Sequence, residues 1–422
     1  MSSDFPSVPL GDLTVNYDYK RKPVKSSDRK AGPYPYYGAS GVVDFVDSYL
    51  FDGEYLLIGE DGENMRTRQT PIAFIAKGKF WVNNHAHIVK ANERSTTKYL
   101  KYALAVTDIS TYLTGAVMPK LTQGNMNQIL IPCPPLDTQN KIVGLLGCLD
   151  DSIEVLQHQN TALEAIAQRL FRSWFVNFDP VHAKAAGKEP EAMSAELAAL
   201  FPSEFEDSEL GPIPKGWSVT TFGDAFDIKG GATPSTSEPL YWEGGTHAWA
   251  TPKDMSSLAS KVMYRTERQI TAAGVAKISS KALPSGTVLM SSRAPVGYLA
   301  IAKAPISINQ GFIAIPPTPG IPASFAVELL AHKMPDIKAN AGGTTFAEIS
   351  KTQFRPIKWT RPSDKVLEAF GKLVEPLYAQ VHGNCLLVDS LASLRDHLLP
   401  RLISGKLSLE EAERVTEEAV SV

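Results

Sequence analysis

The chain has 422 residues, with 42 Lys and Arg against 45 Asp and Glu, and a formal net charge of -3. This length exceeds what one hydrophobic core usually supports, so we expect two or three domains. No stretch of about 18 residues is apolar and free of charge, and the N-terminal Met-Ser-Ser-Asp-Phe-Pro lacks the basic and apolar segments of a signal peptide. These features exclude a membrane span and predict a cytoplasmic protein.

The charge is unevenly distributed along the chain. Residues 1–138 carry a net charge of +1, and residues 216–360 carry +5, with 14 Lys and Arg against nine Asp and Glu. Residues 177–215 carry -5, with three basic residues against eight acidic ones. The candidate globular regions are therefore neutral to basic, and an acidic segment connects them. The three cysteines, Cys133, Cys148 and Cys385, lack metal-ligand spacing and are expected to be structural thiols.

Residues 1–137 predict a first globular domain of α/β or α+β type. Apolar runs bounded by Gly, Pro, Asn and Asp predict strands at residues 42–46, 54–58, 71–76 and 79–89, and a helix at 96–107. Polar loops are predicted over most of residues 18–41, where basic side chains alternate with tyrosines. Such loops suit a phosphate backbone with planar groups beside it, although a solvated surface loop is the alternative.

A long helix is predicted over residues 138–178, after the stop signal Pro132-Cys-Pro-Pro and a cap at Asp137 or Thr138. Forty helical residues span about 60 Å, more than a compact domain needs. Apolar positions recur at alternating steps of four and three, which is a heptad seam on one helix face. The seam comprises Leu149, Ile153, Leu156, Asn160, Leu163, Ala167, Leu170 and Trp174.

A second helix over residues 363–405 repeats the seam at an offset of 224, with Leu373, Leu377, Gln380, Asn384, Leu387, Leu391, Leu394 and Leu398. A buried polar residue in an apolar seam lowers stability and is tolerated where it fixes register. The matched Asn160 and Asn384 therefore predict that the two helices pack on each other. The alternative is that each helix only covers its own domain. Pro376 is expected to bend the second helix near its start.

Residues 179–215 are expected to form an acidic surface linker, residues 216–362 a second domain, and residues 406–422 an acidic tail that frays. The second domain repeats features of the first. Leu10-Gly-Asp-Leu matches Phe222-Gly-Asp-Ala, and the strand at 81–89 matches residues 306–315 at an offset near 226. The chain is thus predicted to be a tandem repeat of a domain followed by a helix, with similar frameworks and different loops.

Catalytic signatures are missing from the sequence. It has no G-x-x-x-x-G-K-[ST] loop, no G-x-G-x-x-G motif, and no Asn-Pro-Pro-aromatic or Asp-Pro-Pro-aromatic tetrapeptide of an adenine-N6 methyltransferase. His85 and His87 could share one strand face, but a third ligand is lacking, so no metal site is predicted. The acidic turn Glu60-Asp-Gly-Glu63 is expected to lie in solvent.

Several motifs together resemble the specificity (S) subunits of type I restriction-modification systems, and they cover nearly the whole chain. They are Tyr36-Tyr-Gly-Ala-Ser-Gly, Phe51-Asp-Gly-Glu-Tyr-Leu-Leu-Ile-Gly-Glu-Asp-Gly, Asn83-Asn-His-Ala-His, Ile131-Pro-Cys-Pro-Pro-Leu-Asp-Thr-Gln, Leu170-Phe-Arg-Ser-Trp-Phe-Val-Asn-Phe-Asp-Pro, Gly211-Pro-Ile-Pro-Lys-Gly-Trp, Asn309-Gln-Gly-Phe and Leu398-Leu-Pro-Arg-Leu-Ile-Ser-Gly-Lys-Leu. The resemblance implies two target-recognition domains, each followed by a conserved helix, with the helices packed as an antiparallel coiled coil.

The resemblance also implies a function without catalysis in this chain. Each domain reads one half of a bipartite DNA site, and the helix pair sets the unread gap. Two methyltransferase (M) subunits and the restriction (R) subunits are the implied partners. S-adenosylmethionine, ATP and Mg²⁺ are expected on those partners, with no cofactor on this chain. The alternatives are a restriction-modification enzyme with its own methylase or nuclease activity, and a coiled-coil adaptor that binds proteins.

Basic and polar side chains on loops are the candidate DNA contacts, because Lys and Arg bind phosphates while Arg, Asn and Gln read base edges. An exposed charge that contacts nothing is the alternative for each one. The candidates are Lys20, Arg21, Lys22, Lys25, Arg66, Arg68 and Lys120 in the first domain, and Lys229, Thr233, Lys253, Arg293 and Lys351 in the second.

Overall fold

The computed structural model describes residues 4–343 and 347–420. The chain divides into two units, one made of the residues up to 153 together with those from 389 onward, and the other of residues 154–388. Each of the two long helices begins in one unit and ends in the other. The units are described separately below.

The first unit is built mainly from antiparallel strands with short helices. Its strands are β1 (Ser7–Pro9), β2 (Thr14–Asn16), β3 (Ala31–Gly38), β4 (Gly41–Val46), β5 (Phe51–Asp52), β6 (Tyr55–Gly59), β7 (Ala73–Ala76), β8 (Lys79–Val82), β9 (Ala86–Ala91) and β10 (Leu130–Pro132). Its helices are α1 (Asn64–Thr67), α2 (Thr97–Val106) and α3 (Gln123–Gln128), followed by the start of the long helix α4 (Leu136–Phe175).

Two four-stranded sheets form the body of the first unit. One has the order β2-β9-β6-β7 and is antiparallel throughout, and the other has the order β4-β3-β8-β5 with a parallel β3–β8 pair. Strand β6 reads Tyr-Leu-Leu-Ile-Gly and is almost wholly buried, as expected of a short continuous apolar run inside a core. Phe51, Leu57 and Phe80 pack together in this core.

The second unit follows within the chain. It contains α5 (Asp179–Ala185), α6 (Ala195–Ala198), β11 (Phe205–Glu206), β12 (Ile213–Pro214), β13 (Ser218–Thr221), α7 (Phe222–Ala225), β14 (His247–Ala250), α8 (Pro252–Ser256), β15 (Val262–Met263), β16 (Arg268–Ile270), α9 (Ala272–Lys277), β17 (Val288–Ser291), β18 (Leu299–Ala302), β19 (Ser307–Ile308), β20 (Phe312–Ile315), α10 (Ala323–His332), α11 (Met334–Ala339), α12 (Lys351–Phe354) and β21 (Lys358–Arg361). The second long helix, α13 (Asp364–Ser404), continues into the first unit, where α14 (Leu409–Val420) follows it.

The two units share one framework. The antiparallel set β9-β6-β7 of the first corresponds to β20-β17-β18 of the second, and the parallel pair β3–β8 corresponds to β14–β19. Strand β1 pairs with β10 as β13 pairs with β21. The predicted tandem repeat is therefore confirmed, and equivalent positions in the two domains can be compared directly.

Helices α4 and α13 pack on each other within the second unit and run antiparallel. Asn384 donates to the side-chain oxygen of Asn160 over 2.9 Å, and both residues are buried, with 3% and 5% of their surface exposed. Further along, the ring of Phe171 contacts that of Phe370, with centroids 6.2 Å apart. Since the partner number falls as the α4 number rises, the helices are antiparallel. The buried asparagine pair and the long helices were predicted correctly.

The predicted seam of α13 is wrong at three positions. Leu373 and Leu387 are each 46% exposed, and Gln380 is exposed as well. The buried residues of this half are instead Val374, Tyr378 and Val381. This half of α13 packs on both α4 and the domain core that includes Phe325 of α10, so its buried face is turned toward the domain. A heptad seam is the pattern of a helix that packs on one partner helix. A helix that also packs on a domain core buries a wider stripe, so the heptad positions alone do not define its buried face. Helix α13 also continues through Pro376.

A charged cluster fixes α2 against the helix pair within the first unit. The carboxylate of Asp150 on α4 accepts hydrogen bonds from the hydroxyl of Tyr102 (2.7 Å), from Lys101 (3.2 Å) and from Arg395 of α13 (2.9 Å). Burial alone raises the pKa of Asp150, but the hydrogen bonds from Tyr102 and Arg395 outweigh it and hold the pKa below its ordinary value.

The corresponding cluster in the second unit is more deeply buried. Glu328 of α10 is 1% exposed, forms an ion pair with Lys261 (2.8 Å), and accepts a hydrogen bond from the hydroxyl of Tyr378 (2.6 Å). Glu164 of α4 accepts a hydrogen bond from the Lys261 backbone at 2.6 Å, and burial raises the pKa of this carboxyl. Both clusters attach a domain helix to the long helices.

Several sequence expectations are corrected by the structure. The predicted strand over 79–89 is two strands, β8 and β9, separated by a turn. Residues 34–38 belong to strand β3 rather than to a loop. Helix α4 spans residues 136–175 rather than 138–178, and α13 spans 364–404 rather than 363–405.

The acidic regions also differ from expectation. Residues 179–215 do not form a surface linker, because Val181 and Phe201 are buried in the core of the second unit, where Phe201 contacts the Trp174 ring. The expected frayed tail contains α14, whose Ala412 is buried. A count of charges does not show that a few apolar residues within an acidic segment are buried, so both regions were expected to lie in solvent. In the described part of the chain, no helix is long and apolar enough to cross a membrane.

Candidate nucleic-acid interface

A tight turn follows strand β8 in the first domain. The backbone nitrogen of Asn83 donates to the carbonyl of Tyr37 at 3.0 Å, and the side-chain oxygen of Asn83 accepts from the backbone nitrogen of His85 at 2.7 Å. This second bond closes an Asx turn, which asparagine favours. Asn83 is buried, so the turn is fixed at its base, while Asn84 and His85 are exposed.

The second domain has the same turn after β19. Asn309 donates its backbone N–H to the carbonyl of Ala250 at 3.1 Å, and its side-chain oxygen accepts from the backbone nitrogen of Gly311 at 2.8 Å. Gln310 is exposed at the position of Asn84, and its side-chain oxygen accepts a hydrogen bond from the hydroxyl of Thr233 at 2.7 Å. The two domains therefore present an exposed primary amide at equivalent places.

The backbone around the two turns agrees closely. The backbone N–H of Glu60 donates to the carbonyl of His85 over 2.9 Å, as the backbone N–H of Ser292 donates to that of Gly311 over 2.8 Å. In each domain a second segment, which precedes α3 in the first domain and α12 in the second, forms a β-bridge beside the turn. The bridge is Asp61–Lys120 in the first domain and Arg293–Glu348 in the second. Arg293 thus stands at the position of Asp61, and Glu348 stands at that of Lys120. The same backbone arrangement therefore carries opposite charges at equivalent positions in the two domains. This is expected if the surfaces around the two turns contact different ligands.

The first turn adjoins a network of charges. Glu60 forms ion pairs with Arg21 (2.6 Å) and Lys120 (3.2 Å), and the buried His87 lies 2.5 Å from the carboxylate of Asp18. Burial alone raises the pKa values of Asp18 and Glu60. A hydrogen bond from His87 to Asp18 and one from Arg21 to Glu60, together with the positive charge of Arg21, hold both pKa values below their ordinary range. The network fixes β9 and the Asp18–Arg21 segment against each other.

Two arginine candidates are held internally by their partners. The guanidinium of Arg21 bonds Glu60, Asp18 and the carbonyl of Ala86, and its side chain is only 15% exposed. Arg68 donates to the carbonyls of Ala105 and Thr107 at the end of α2. These contacts occupy groups that were expected to face DNA, so both arginines position neighbouring segments of the domain.

The remaining candidates of the first domain are exposed. Lys20 lies over the rings of Tyr17 and Tyr19, the carbonyl of Lys22 accepts from the Trp81 indole, and Lys25 precedes a short 3-10 turn. Arg66 donates to the carbonyls of Gly115 and Ala116 and so supports the hairpin closed by Thr114 and Lys120. Lys120 lies beside the turn, because it forms a bridge with Asp61 and pairs with Glu60, whose backbone N–H donates to the carbonyl of His85.

In the second domain, four of the five candidates lie at or beside the turn, through their own contacts or those of an adjacent residue. Thr233 donates to Gln310 directly. Arg293 follows Ser292, whose backbone N–H donates to the carbonyl of Gly311, and Lys253, which pairs with Glu267 at 2.8 Å, follows Pro252, which lies against Gly311.

The Lys351 ammonium lies next to Gly230, and Gly231 packs closely on the Ile308 and Asn309 backbone. The fifth candidate, Lys229, pairs with Asp227 at 2.7 Å. Thr233, Lys253, Arg293 and Lys351 therefore lie around Gln310.

The exposed amides Asn84 and Gln310 were missed as candidate contacts. The signal was present in the sequence, because Asn-Asn-His and Asn-Gln-Gly recur at an offset of 226. Reading residues 79–89 as one continuous strand concealed the turn that exposes Asn84.

The histidine pair does not share an environment. His85 lies in the turn, with its Nδ1 atom 2.8 Å from the carboxylate of Asp61, whereas His87 is buried and contacts Asp18 and the carbonyl of Leu121. Among residues 4–343 and 347–420, no three His, Cys, Asp or Glu side chains gather as metal ligands. The three cysteines are free thiols.

The comparisons with known proteins agree with this architecture. The family model described as "Type I restriction modification DNA specificity domain" matches twice, over residues 2–165 and 214–370. The chain is 37% identical over 182 residues to the type I restriction enzyme MjaIX specificity subunit of Methanocaldococcus jannaschii, covering 41% of this chain and 42% of that protein. It is 27% identical over 407 residues to the HindI specificity subunit of Haemophilus influenzae, covering 84% of each.

A solved structure supports the same fold. The type I restriction-modification S subunit from M. genitalium superposes with a TM-score of 0.58 at 16% identity, covering 95% of this chain and 96% of the other. The two matched regions contain the two repeated domains, so the chain has the fold of a two-domain DNA-specificity protein. It belongs to the type I restriction modification DNA specificity family.

Proposed function

We propose that this chain is the specificity subunit of a type I restriction-modification complex and recognises a bipartite DNA site. Each domain contacts one half of the site through the face around its Asx turn. The helices α4 and α13 keep the two half-sites at a set separation, so the DNA between them is not read. The observation that carries the proposal is the repeated frame, which bears different charges at equivalent positions in a chain of the DNA-specificity family.

The charge distribution supports contact with a polyanion. Residues 216–360 carry a net charge of +5, residues 1–138 carry +1, and the net negative charge lies in the rest of the chain. A locally basic surface attracts DNA even when the net charge of the chain is negative. Exposed lysines such as Lys351 and Lys22 supply phosphate contacts, which position the duplex without reading its sequence.

In this proposal the chemistry belongs to partner subunits. Two M subunits bind S-adenosylmethionine and methylate the DNA, and R subunits add ATP- and Mg²⁺-dependent cleavage. The specificity chain holds these subunits at the chosen site and carries no reaction itself. A sequence without nucleotide-binding or methyltransferase motifs is consistent with this division of work.

Selection from random duplexes tests the proposal. The chain is assembled with its M partner, and the bound DNA is recovered and sequenced over several rounds. We expect enrichment of two short words separated by an unread gap of constant length. Recovery of one continuous word, or of no preferred sequence by an assembled complex, contradicts the proposal. Incubation of the chain alone with DNA and labelled S-adenosylmethionine is the control, and we expect no methylation.

A further inference from the structure

The most informative feature outside the established family function is the pair of exposed amides at the two Asx turns. The turns are equivalent in backbone hydrogen bonding, yet the surrounding charges differ between the domains. A side-chain type that is the same in both domains, where the surrounding charges differ, is suited to a chemical group that both DNA half-sites contain. At both turns this feature is a primary amide, Asn84 in one domain and Gln310 in the other.

A primary amide is the side chain that matches adenine. Its oxygen accepts from the adenine N6 amino group while its nitrogen donates to N7, which forms a bidentate contact in the major groove. Lysine and arginine are suited instead to guanine or to phosphate. The amide therefore points to a chemical class of ligand, an A·T pair presented through the major groove.

The hydrogen bonds around the two amides favour base recognition over a role as ordinary surface side chains. Side-chain hydrogen bonds from Asn83 and Asn309 fix the turns that carry the amides, so each amide extends from a rigid base and loses little freedom on binding. The Gln310 oxygen accepts from the Thr233 hydroxyl, which orients the amide and leaves its nitrogen able to donate. Lysines beside the turns, including Lys120 and Lys351, provide the adjacent phosphate contacts.

We propose that Asn84 and Gln310 are equivalent specificity-determining residues, each of which reads one adenine by a bidentate major-groove contact in its own half-site. This inference rests on the proposed function, because it names residues of the same DNA-contacting faces. It assigns one position in each word to a known side chain and leaves the other positions to the divergent loops.

The test uses the chain assembled with its M partner and the variants Asn84→Ala and Gln310→Ala. In selection from random duplexes, we expect Asn84→Ala to lose preference at one A·T position of one word and to retain the other word. Gln310→Ala is expected to give the reciprocal result, so each variant controls for the other. Gln157→Ala, which removes an exposed amide of α4, is the matched surface control and is expected to select the original words.

Chemical substitution in the DNA identifies the contact. Replacing the assigned adenine by 7-deazaadenine removes the N7 acceptor, and we expect the unaltered complex to bind about 5- to 150-fold more weakly. The Ala variant of the cognate domain is expected to bind the two duplexes equally. Thr233→Ala is expected to give a partial loss at the Gln310 position only, since it removes the orienting hydrogen bond.

The outcomes separate the two levels of the proposal. If the unaltered complex selects a bipartite site but both Ala variants select unchanged words, the amide assignment is wrong and the proposed function stands. The same conclusion follows if the lost position is a G·C pair. If the unaltered complex selects no bipartite site, the proposed function itself fails. Unchanged thermal unfolding midpoints of the variants exclude misfolding as the cause of a loss.

Discussion

The buried Asn160–Asn384 pair gives the sharpest stability prediction. The two amides are joined by a 2.9 Å hydrogen bond and are 5% and 3% exposed. Replacing one of them by leucine, which has the same branching and number of side-chain heavy atoms, leaves the other amide buried with its main partner removed. The cost of an unsatisfied buried polar group is about 1–3 kcal/mol. We therefore expect Asn160→Leu or Asn384→Leu to lower the free energy of unfolding by that amount.

Replacing both residues should have a much smaller effect. Exchange of a hydrogen-bonded pair for apolar groups of similar shape is close to neutral or stabilising. The double variant is expected to recover at least about 1 kcal/mol relative to the sum of the single variants, which is the coupling energy of a double-mutant cycle. Gln380 and Gln159, which also contact Asn384, are exposed and can bond to water instead.

Urea unfolding followed by far-UV circular dichroism measures these free energies, with the midpoints compared at a shared slope. Gln157→Leu on the exposed face of α4 is the control and should change stability by less than about 0.5 kcal/mol. A double variant that loses as much as the two single variants together would refute the assignment of this pair as one buried unit.

Three other perturbations test the clusters and the DNA face. Asp150→Asn should lower the free energy of unfolding, measured by calorimetry at neutral pH, by about 1–3 kcal/mol. The control is Asp396→Asn, because Asp396 also pairs with Arg395 but is 65% exposed. This control should change the free energy by less than about 1 kcal/mol. Because the folded pKa of Asp150 is lowered, its contribution is present above the unfolded pKa and is lost as pH falls through the folded pKa. The unaltered chain should therefore lose more stability between neutral pH and about pH 3 than the Asn variant, and equal losses contradict this. Lys261→Met leaves the buried Glu328 without its cation and should lower the free energy of unfolding by about 3–5 kcal/mol. Lys215→Met, in an exposed ion pair, is the control and should leave the urea midpoint nearly unchanged. Similar urea midpoints for the two variants would contradict the importance of the buried pair. Lys351→Ala should weaken binding to all duplexes alike and reduce the salt slope of log K by about 1, and a sequence-dependent loss in fluorescence anisotropy titrations would assign it to base reading instead.

Strong local periodicity explains what the sequence predicts well. The two helices, the matched asparagines and the repeat depend on spacing within one segment, and all three are present in the structure. Helix α2 was predicted over 96–107 and spans 97–106 because Thr96 caps it, accepting from the backbone nitrogen of Tyr99. Signals of this kind need no knowledge of distant partners.

Tertiary contacts explain what the sequence does not predict. Leu373 and Leu387 follow the heptad pattern and are exposed, because α13 packs on its own domain as well as on α4. Phe201 is buried despite the acidic residues around it, because its ring packs against Trp174. From the sequence Arg21 was expected to be a free basic residue, but it forms ion pairs with the neighbouring Asp18 and with Glu60, which lies 39 residues further along the chain.

The candidate interface contains features that depend on the fold and features that depend only on local sequence. The basic residues around Gln310 are distributed over about 100 positions of sequence, from Lys253 to Lys351, and only the fold brings them to one face. The Asx turns at Asn83 and Asn309 depend on bonds two residues apart and were accessible to local reasoning. A strand assignment that ignored a possible break at Asn83 prevented this.

The length of the helix pair provides the most direct test of the central claim. Duplicating residues 153–159 in α4 and residues 385–391 in α13 adds one heptad at matched levels and keeps both seams in phase. Seven residues add about 10 Å of helix, equivalent to at most about three base pairs of B-DNA. Selection sequencing should return both original words with a longer gap between them. Retention of the original gap by a complex that still binds, or a change in either word, would contradict the account.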